Sequence, residues 1–68
     1  MLKEWRKKAY YTQESLAAEL GVSQNTVCCW EHGKAIPDIF TIEKLSKLLN
    51  VPVTDIIEHF KGFEKKEK

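Results

Sequence analysis

The 68-residue sequence predicts a small, single-domain, all-α fold, and three observations lead there. Glycine and proline are scarce, with three and two copies. Apolar residues recur at three- and four-residue spacing, and no stretch of five or more alternates cleanly, which favours helices over a sheet. The balance of 43% hydrophobic and 31% charged residues is that of an ordinary globular domain, with a formal net charge of +1. No run of about 18 apolar residues is present, so no membrane span is expected. The opening Met1-Leu2-Lys3-Glu4-Trp5-Arg6 is charged within its first turn and does not read as a signal peptide. Cys28 and Cys29 are adjacent and cannot staple distant segments, which makes a reducing cytoplasm the expected compartment. A chain this short buries only about 60% of its unfolded surface and has little room for a deep pocket. Catalysis is not expected. No Ser–His–Asp arrangement, phosphate loop or carboxylate cluster is evident, and neither a cofactor nor a small-molecule ligand is implied.

The elements follow in order. Leu2, Trp5 and Ala9 share a face and predict a first helix over residues 2–9. Thr12 is the N-cap of a second, with Leu16, Ala17 and Leu20 inward and Gly21 closing it. Ser23 caps a third, whose inner face is Val27 and Trp30 and which stops at Gly33. Pro37-Asp38 opens a fourth with Ile42, Leu45 and Leu49 inward, and Asn50-Val51-Pro52 breaks it. Thr54 caps a short fifth helix carrying Ile56, Ile57 and Phe60. The domain is expected to span residues 1–61, with a charged, disordered tail over 62–68.

Residues 13–32 form the informative segment. Two short helices meet at Gly21 with roughly three residues between them, the spacing of a helix-turn-helix. A glycine tolerates the positive φ of such a turn, and Ala17 is small enough for two backbones to approach. Leu16, Leu20, Val22, Val27 and Trp30 fill the wedge between the helices. Any one match is weak, but their concurrence is hard to obtain by chance.

The runs Thr12-Gln13-Glu14-Ser15-Leu16-Ala17, Leu20-Gly21-Val22-Ser23, Thr26-Val27 and Trp30-Glu31-His32-Gly33-Lys34 resemble the Cro/CI-type (XRE-like) helix-turn-helix of phage repressors and their bacterial relatives. The resemblance continues through Pro37, Leu45–Val51 and Thr54–Ile57, and covers about residues 2–60. It implies a compact five-helix bundle of the lambda-repressor-like type that binds double-stranded DNA, usually as a symmetric dimer on a pseudo-palindromic operator. It also implies a semi-buried salt bridge between Arg6 and Glu31 that orients the first and third helices, although Arg6 facing solvent or phosphate stays open. Two residues depart from the pattern: Tyr10 stands where a glycine ends the first helix, and Phe40 fills a position that is usually polar.

On the wheel of residues 24–32, Val27, Trp30 and Glu31 lie together, while Asn25, Cys28, Cys29 and His32 lie opposite and Gln24 projects from the N-terminal end. A recognition helix puts its N-terminal residues against base edges. Gln and Asn bond adenine N6 and N7 in bidentate fashion, each pair worth about 1–3 kcal/mol of discrimination. Gln24 and Asn25 are therefore the first choices for base contacts, against the alternative of a polar first-turn residue and a phosphate contact. Cys28 and Cys29 would touch bases or sugars by van der Waals contact, the thymine methyl being a suitable target. A redox or metal role is the alternative. Adjacent cysteines point about 100° apart, and with His32 they leave a metal short of a fourth ligand, so none is expected. Phosphate contacts are assigned to Gln13, at a helix start that favours anions, and to Ser23, Thr26, His32 and Lys34 at the rim. Ordinary capping or solvation is the alternative for each.

In the resembled family the last helix and the segment before it form the dimer seam. Val51, Val53, Ile57 and Phe60 are the residues that match, unless they close the protomer's own core. A two-fold operator needs two recognition helices about 34 Å apart, which favours the dimer. The expected function is a sequence-specific transcriptional regulator, and a repressor because no sensing domain is evident. An antitoxin-like or other protein-interaction module on the same fold is the alternative.

Overall fold

The computed structural model describes residues 2–65. It contains five helices: α1 (Leu2–Lys8), α2 (Gln13–Leu20), α3 (Gln24–Glu31), α4 (Ile39–Leu49) and α5 (Val53–Lys65). Among the described residues there is no strand, and no helix is long and apolar enough to cross a membrane.

Short polar side chains start three of the helices. Thr12 Oγ1 accepts from the Ser15 N–H at 2.9 Å, and Ser15 Oγ accepts in return from the Thr12 N–H, a reciprocal capping box. Ser23 Oγ accepts from the Thr26 N–H at 3.2 Å to open α3. Asp38 Oδ1 accepts from the Thr41 N–H at 2.8 Å to open α4. That backbone hydrogen bond, with the Thr41 hydroxyl, holds the Asp38 carboxyl below its ordinary pKa. In α5, Thr54 is not the cap the sequence expects but the second helical residue. The Asp55 and Ile56 amides turn back to the Pro52 carbonyl, so the helix begins directly after the proline.

The first four helices all stop on a residue in the left-handed region: Tyr10 at φ 66°, Gly21 at 74°, Gly33 at 75° and Asn50 at 57°. At the first three, the following amide reaches back five residues and the left-handed residue's own amide reaches back three. The pairs are Tyr11→Arg6 and Tyr10→Lys7, Val22→Ala17 and Gly21→Ala18, and Lys34→Cys29 and Gly33→Trp30. This is the Schellman termination, which satisfies carbonyls left open at a helix end. Glycine and asparagine enter that region cheaply, whereas a tyrosine there costs about 1–2 kcal/mol. Tyr10 gains no packing in compensation, since its side chain is 95% exposed. Gly21 is needed for its dihedral angle rather than for room: a Cβ built there meets nothing within 4 Å.

The core draws on every helix. Leu2, Leu16, Val27, Leu45 and Ile56 are sealed from solvent, with Ala17, Leu20, Trp30, Ile42, Leu49 and Phe60 beside them. Complete burial of each large side chain contributes about 1.5–3 kcal/mol. α2 and α3 pack on one another more extensively than any other pair, so the corner is the best-braced part of the molecule. Phe60, at 2% exposure, packs in the protomer's own core, the alternative to the seam that the sequence left open. Residues 62–65, expected in a disordered tail, continue α5, and residues 66–68 lie outside those described.

Candidate nucleic-acid interface

The two sides of α3 differ in kind. Val27 and Trp30 on the inner side are 0% and 4% exposed. On the outer side Gln24, Asn25 and His32 are exposed, and Cys28 and Cys29 are half-buried free thiols. The structure therefore places the residues expected to touch bases on one accessible surface, with Gln24 and Asn25 at the N-terminal tip. The turn Gly21-Val22-Ser23 presents that tip, its geometry fixed by the Gly21 termination and the Ser23 cap.

The expected rim residues differ in how far they are occupied. Ser23 Oγ and Thr26 Oγ1 lie 2.9 Å apart and share a hydrogen bond, so both take part in capping. His32 folds back over the last turn of α3. Its Nδ1 lies 2.8 Å from the Cys28 carbonyl oxygen and 3.5 Å from Cys28 Sγ. A carbonyl only accepts, so Nδ1 carries a proton. Lys34 is exposed just past Gly33. Gln13 stands at the first position of α2, but its side-chain amide donates to Glu31 Oε1 at 2.9 Å and is not simply turned outward.

That last bond belongs to a cluster that sequence reasoning reached only in part. Arg6 Nε donates to Glu31 Oε2 at 2.6 Å, and the two side chains are 8% and 4% exposed. A second guanidinium nitrogen donates to the Tyr11 carbonyl at 2.8 Å. One carboxylate at the last residue of α3 is thus held from α1 by Arg6 and from α2 by Gln13. Burial works to raise the Glu31 pKa from 4.5. The hydrogen bonds from Arg6 and Gln13, with the charge of Arg6 and of Lys3, overcome it and hold the carboxyl below that value. The Gln13 arm was missed because an amide at a helix start reads equally well as an anion contact. Its spacing from Glu31 becomes informative only once α2 and α3 are known to pack side by side.

Of the expected seam residues, Val51, Val53 and Ile57 are half-buried. Ile57 borders a groove of about 180 Å³ together with Ile36, Ile42, Phe60 and Lys61. Ile36, Ile39 and Phe40 are 41%, 50% and 73% exposed, an apolar area of the α3–α4 connection and the start of α4 that the sequence flagged only at Phe40. Among the described residues no group of three or more His, Cys, Asp or Glu side chains is placed to hold a metal ion.

Comparison with known proteins adds a family match. Residues 2–56 match the family model described as helix-turn-helix. The chain is 32% identical over 56 residues to the cryptic phage CTXphi transcriptional repressor RstR of Vibrio cholerae, covering 82% of this chain and 50% of that protein. It is 44% identical over 50 residues to the HTH-type transcriptional regulator ImmR of Bacillus subtilis, covering 74% and 39%. It is 40% identical over 55 residues to an uncharacterized HTH-type transcriptional regulator of Methanocaldococcus jannaschii, covering 81% and 83%. The chain thus spans half the length of the Vibrio protein, less of the Bacillus protein and most of the archaeal one. No solved structure gives a significant match.

Proposed function

The chain belongs to the helix-turn-helix family, and from that premise we propose that it is a sequence-specific DNA-binding transcriptional regulator acting in the cytoplasm as a homodimer. The observation that carries the reading is the exposed tip of α3: Gln24 and Asn25 stand clear of the fold at the capped end of a helix whose opposite side is buried. Amide side chains in that position suit adenine in the major groove. Cys28 and Cys29 lie behind them for apolar contact with bases. Ser23, Thr26, His32, Lys34 and the start of α2 at Gln13 lie along the phosphates. With a net charge of only +1, affinity for random DNA is modest, and base readout carries most of the discrimination.

Repression is the finer part of the proposal. A dimer seated on a pseudo-palindrome blocks a promoter by occupancy alone, and RstR is a repressor by name. Val53 and Ile57, one turn apart on α5, and Val51 before it are the seam candidates, with the Ile36–Phe40 area beside the Ile57 groove. The same area favours a second reading, a module that clamps another protein.

Selection of duplexes from a random pool tests the function. The expected product is an inverted repeat with half-site centres about one helical turn apart, bound far more tightly than its scrambled version in a gel shift. Equal binding of the two duplexes removes base readout. Sedimentation of the free protein separates the two readings, a self-dimer supporting the first and a monomer that dimerises only with another protein the second.

A further inference from the structure

We propose that Cys28 is a thiol-modification site that switches the outer face of α3 off: capture of a low-molecular-weight disulfide there blocks access to DNA. The proposal deepens the reading of α3 as the DNA-contacting helix and rests on it. Two free, part-exposed thiols stand on that face at consecutive positions. A thiol is a weak hydrogen-bonding group where amide or guanidinium side chains would read bases better. What sulfur brings to the position is exchange chemistry.

The two thiols are not equivalent. Cys28 lies one turn behind Gln24 and beside Asn25, and its Sγ is 3.5 Å from His32 Nδ1 in a solvent-exposed contact. The imidazole is held in place by its bond to the Cys28 carbonyl at 2.8 Å, so it stands over the sulfur as a fixed polar neighbour. Cys29 has no such contact with His32; its carbonyl accepts the Lys34 amide in the Gly33 termination. The two sulfurs leave the helix about 100° apart, which disfavours closing on one another.

The step balances with a disulfide as co-reactant. Cys28 Sγ, giving up its proton, attacks one sulfur of the small disulfide. A new S–S bond forms, the old one breaks, and the departing half leaves as a thiol carrying that proton. The small disulfide is the oxidant: Cys28 is oxidised as the departing half is reduced to its thiol, and excess reduced thiol reverses the reaction. A glutathionyl group on this face adds bulk and a net negative charge directly behind the reading tip, where phosphates and bases must approach.

The test exposes the full chain, and the Cys28→Ser and Cys29→Ser variants, to oxidised glutathione. Intact mass follows the adduct and a gel shift on the selected duplex follows binding. Each variant is compared with its own reduced form. The Cys29→Ser chain should take up one glutathione, lose more than about tenfold in affinity and recover with dithiothreitol. The Cys28→Ser chain should take it up far more slowly and keep its binding. His32→Ala should slow capture at Cys28 and leave Cys29 unchanged. Equal reaction at both thiols, an internal Cys28–Cys29 disulfide, or an adduct that binds DNA as well as the reduced chain overturns the proposal. If the reduced chain binds no selected duplex, the DNA reading itself falls, and the mass measurement alone decides whether Cys28 is the preferred thiol.

Discussion

The inner and outer sides of α3 share one backbone and are governed by different physics. Inside, Val27 and Trp30 are sealed in the core, and Glu31 is held by Arg6 and Gln13. Each group there has fixed neighbours, so each change is a change in stability. Outside, Gln24 and Asn25 are exposed and His32 hydrogen-bonds within its own helix. Changes there leave the fold alone and alter what the fold can bind. On the proposed function the helix separates positioning from reading, and substitutions on the two sides should move different observables.

The largest expected effect breaks the inner side. Trp30→Ala leaves a cavity between α3 and the core and should cost about 3–5 kcal/mol. In a domain of marginal stability that approaches global unfolding, visible as a collapsed denaturation midpoint. Next is the ion pair. Glu31→Ala strands a guanidinium that is 8% exposed and should cost about 3–5 kcal/mol, while the double change Arg6→Met with Glu31→Leu should recover most of that loss. Failure of the double variant to recover would mean that the Gln13 and Tyr11 bonds, not the charge pair, carry the cost. On the outer side, Asn25→Ala and Gln24→Ala should each weaken binding to the selected duplex by about 1–3 kcal/mol. Stability should move by no more than about 0.5 kcal/mol. A shift in melting temperature as large as the binding loss would erase the distinction between the two sides.

Acid offers a milder way to separate the sides. The Glu31 pKa is lower in the folded chain than its ordinary 4.5. As pH falls, the unfolded chain takes up that proton first. The contribution of Glu31 is therefore complete above 4.5 and is lost as pH falls through the depressed folded value. Glu31→Gln should flatten that limb of a stability–pH curve without removing the slope from Asp38, whose pKa is also lowered. The smallest expected effect is at Tyr10. Tyr10→Gly relieves a left-handed tyrosine at the end of α1, partly offset by glycine's added chain entropy, and should stabilise by up to about 1 kcal/mol in chemical denaturation.

Sequence reading works where one local rule decides. The caps at Thr12 and Ser23, the corner at Gly21 and the buried faces of α2 to α4 follow from spacing and turn chemistry, and the structure has them there. It fails where tertiary contact decides. Nothing local tells that Tyr10 accepts the conformation glycine takes at two of the other helix ends; the Tyr11 amide and carbonyl, both bonded to Arg6, hold it there. Phe60 reads as surplus apolar area until α5 is docked, when its ring turns out to complete the core. The Gln13–Glu31 bond joins residues on neighbouring helices whose pairing no single-helix pattern contains. Ile36 likewise lies beside Ile57 and Phe60 of α5, a neighbourhood that no single-helix pattern contains. In the interface, membership of the outer face was legible from periodicity, while the hydrogen bonds that tie down Gln13 and His32 were not.

The central claim is that DNA meets the outer side of α3, and amide chemical shifts of the labelled chain titrated with its selected duplex test it most directly. The account predicts large shifts at Gln24, Asn25, Cys28 and Cys29 with smaller ones at Gln13 and Lys34, and little change at Leu45 or Ile56. Shifts gathered on Ile36, Ile39, Phe40 and Ile57 with α3 unmoved would contradict it.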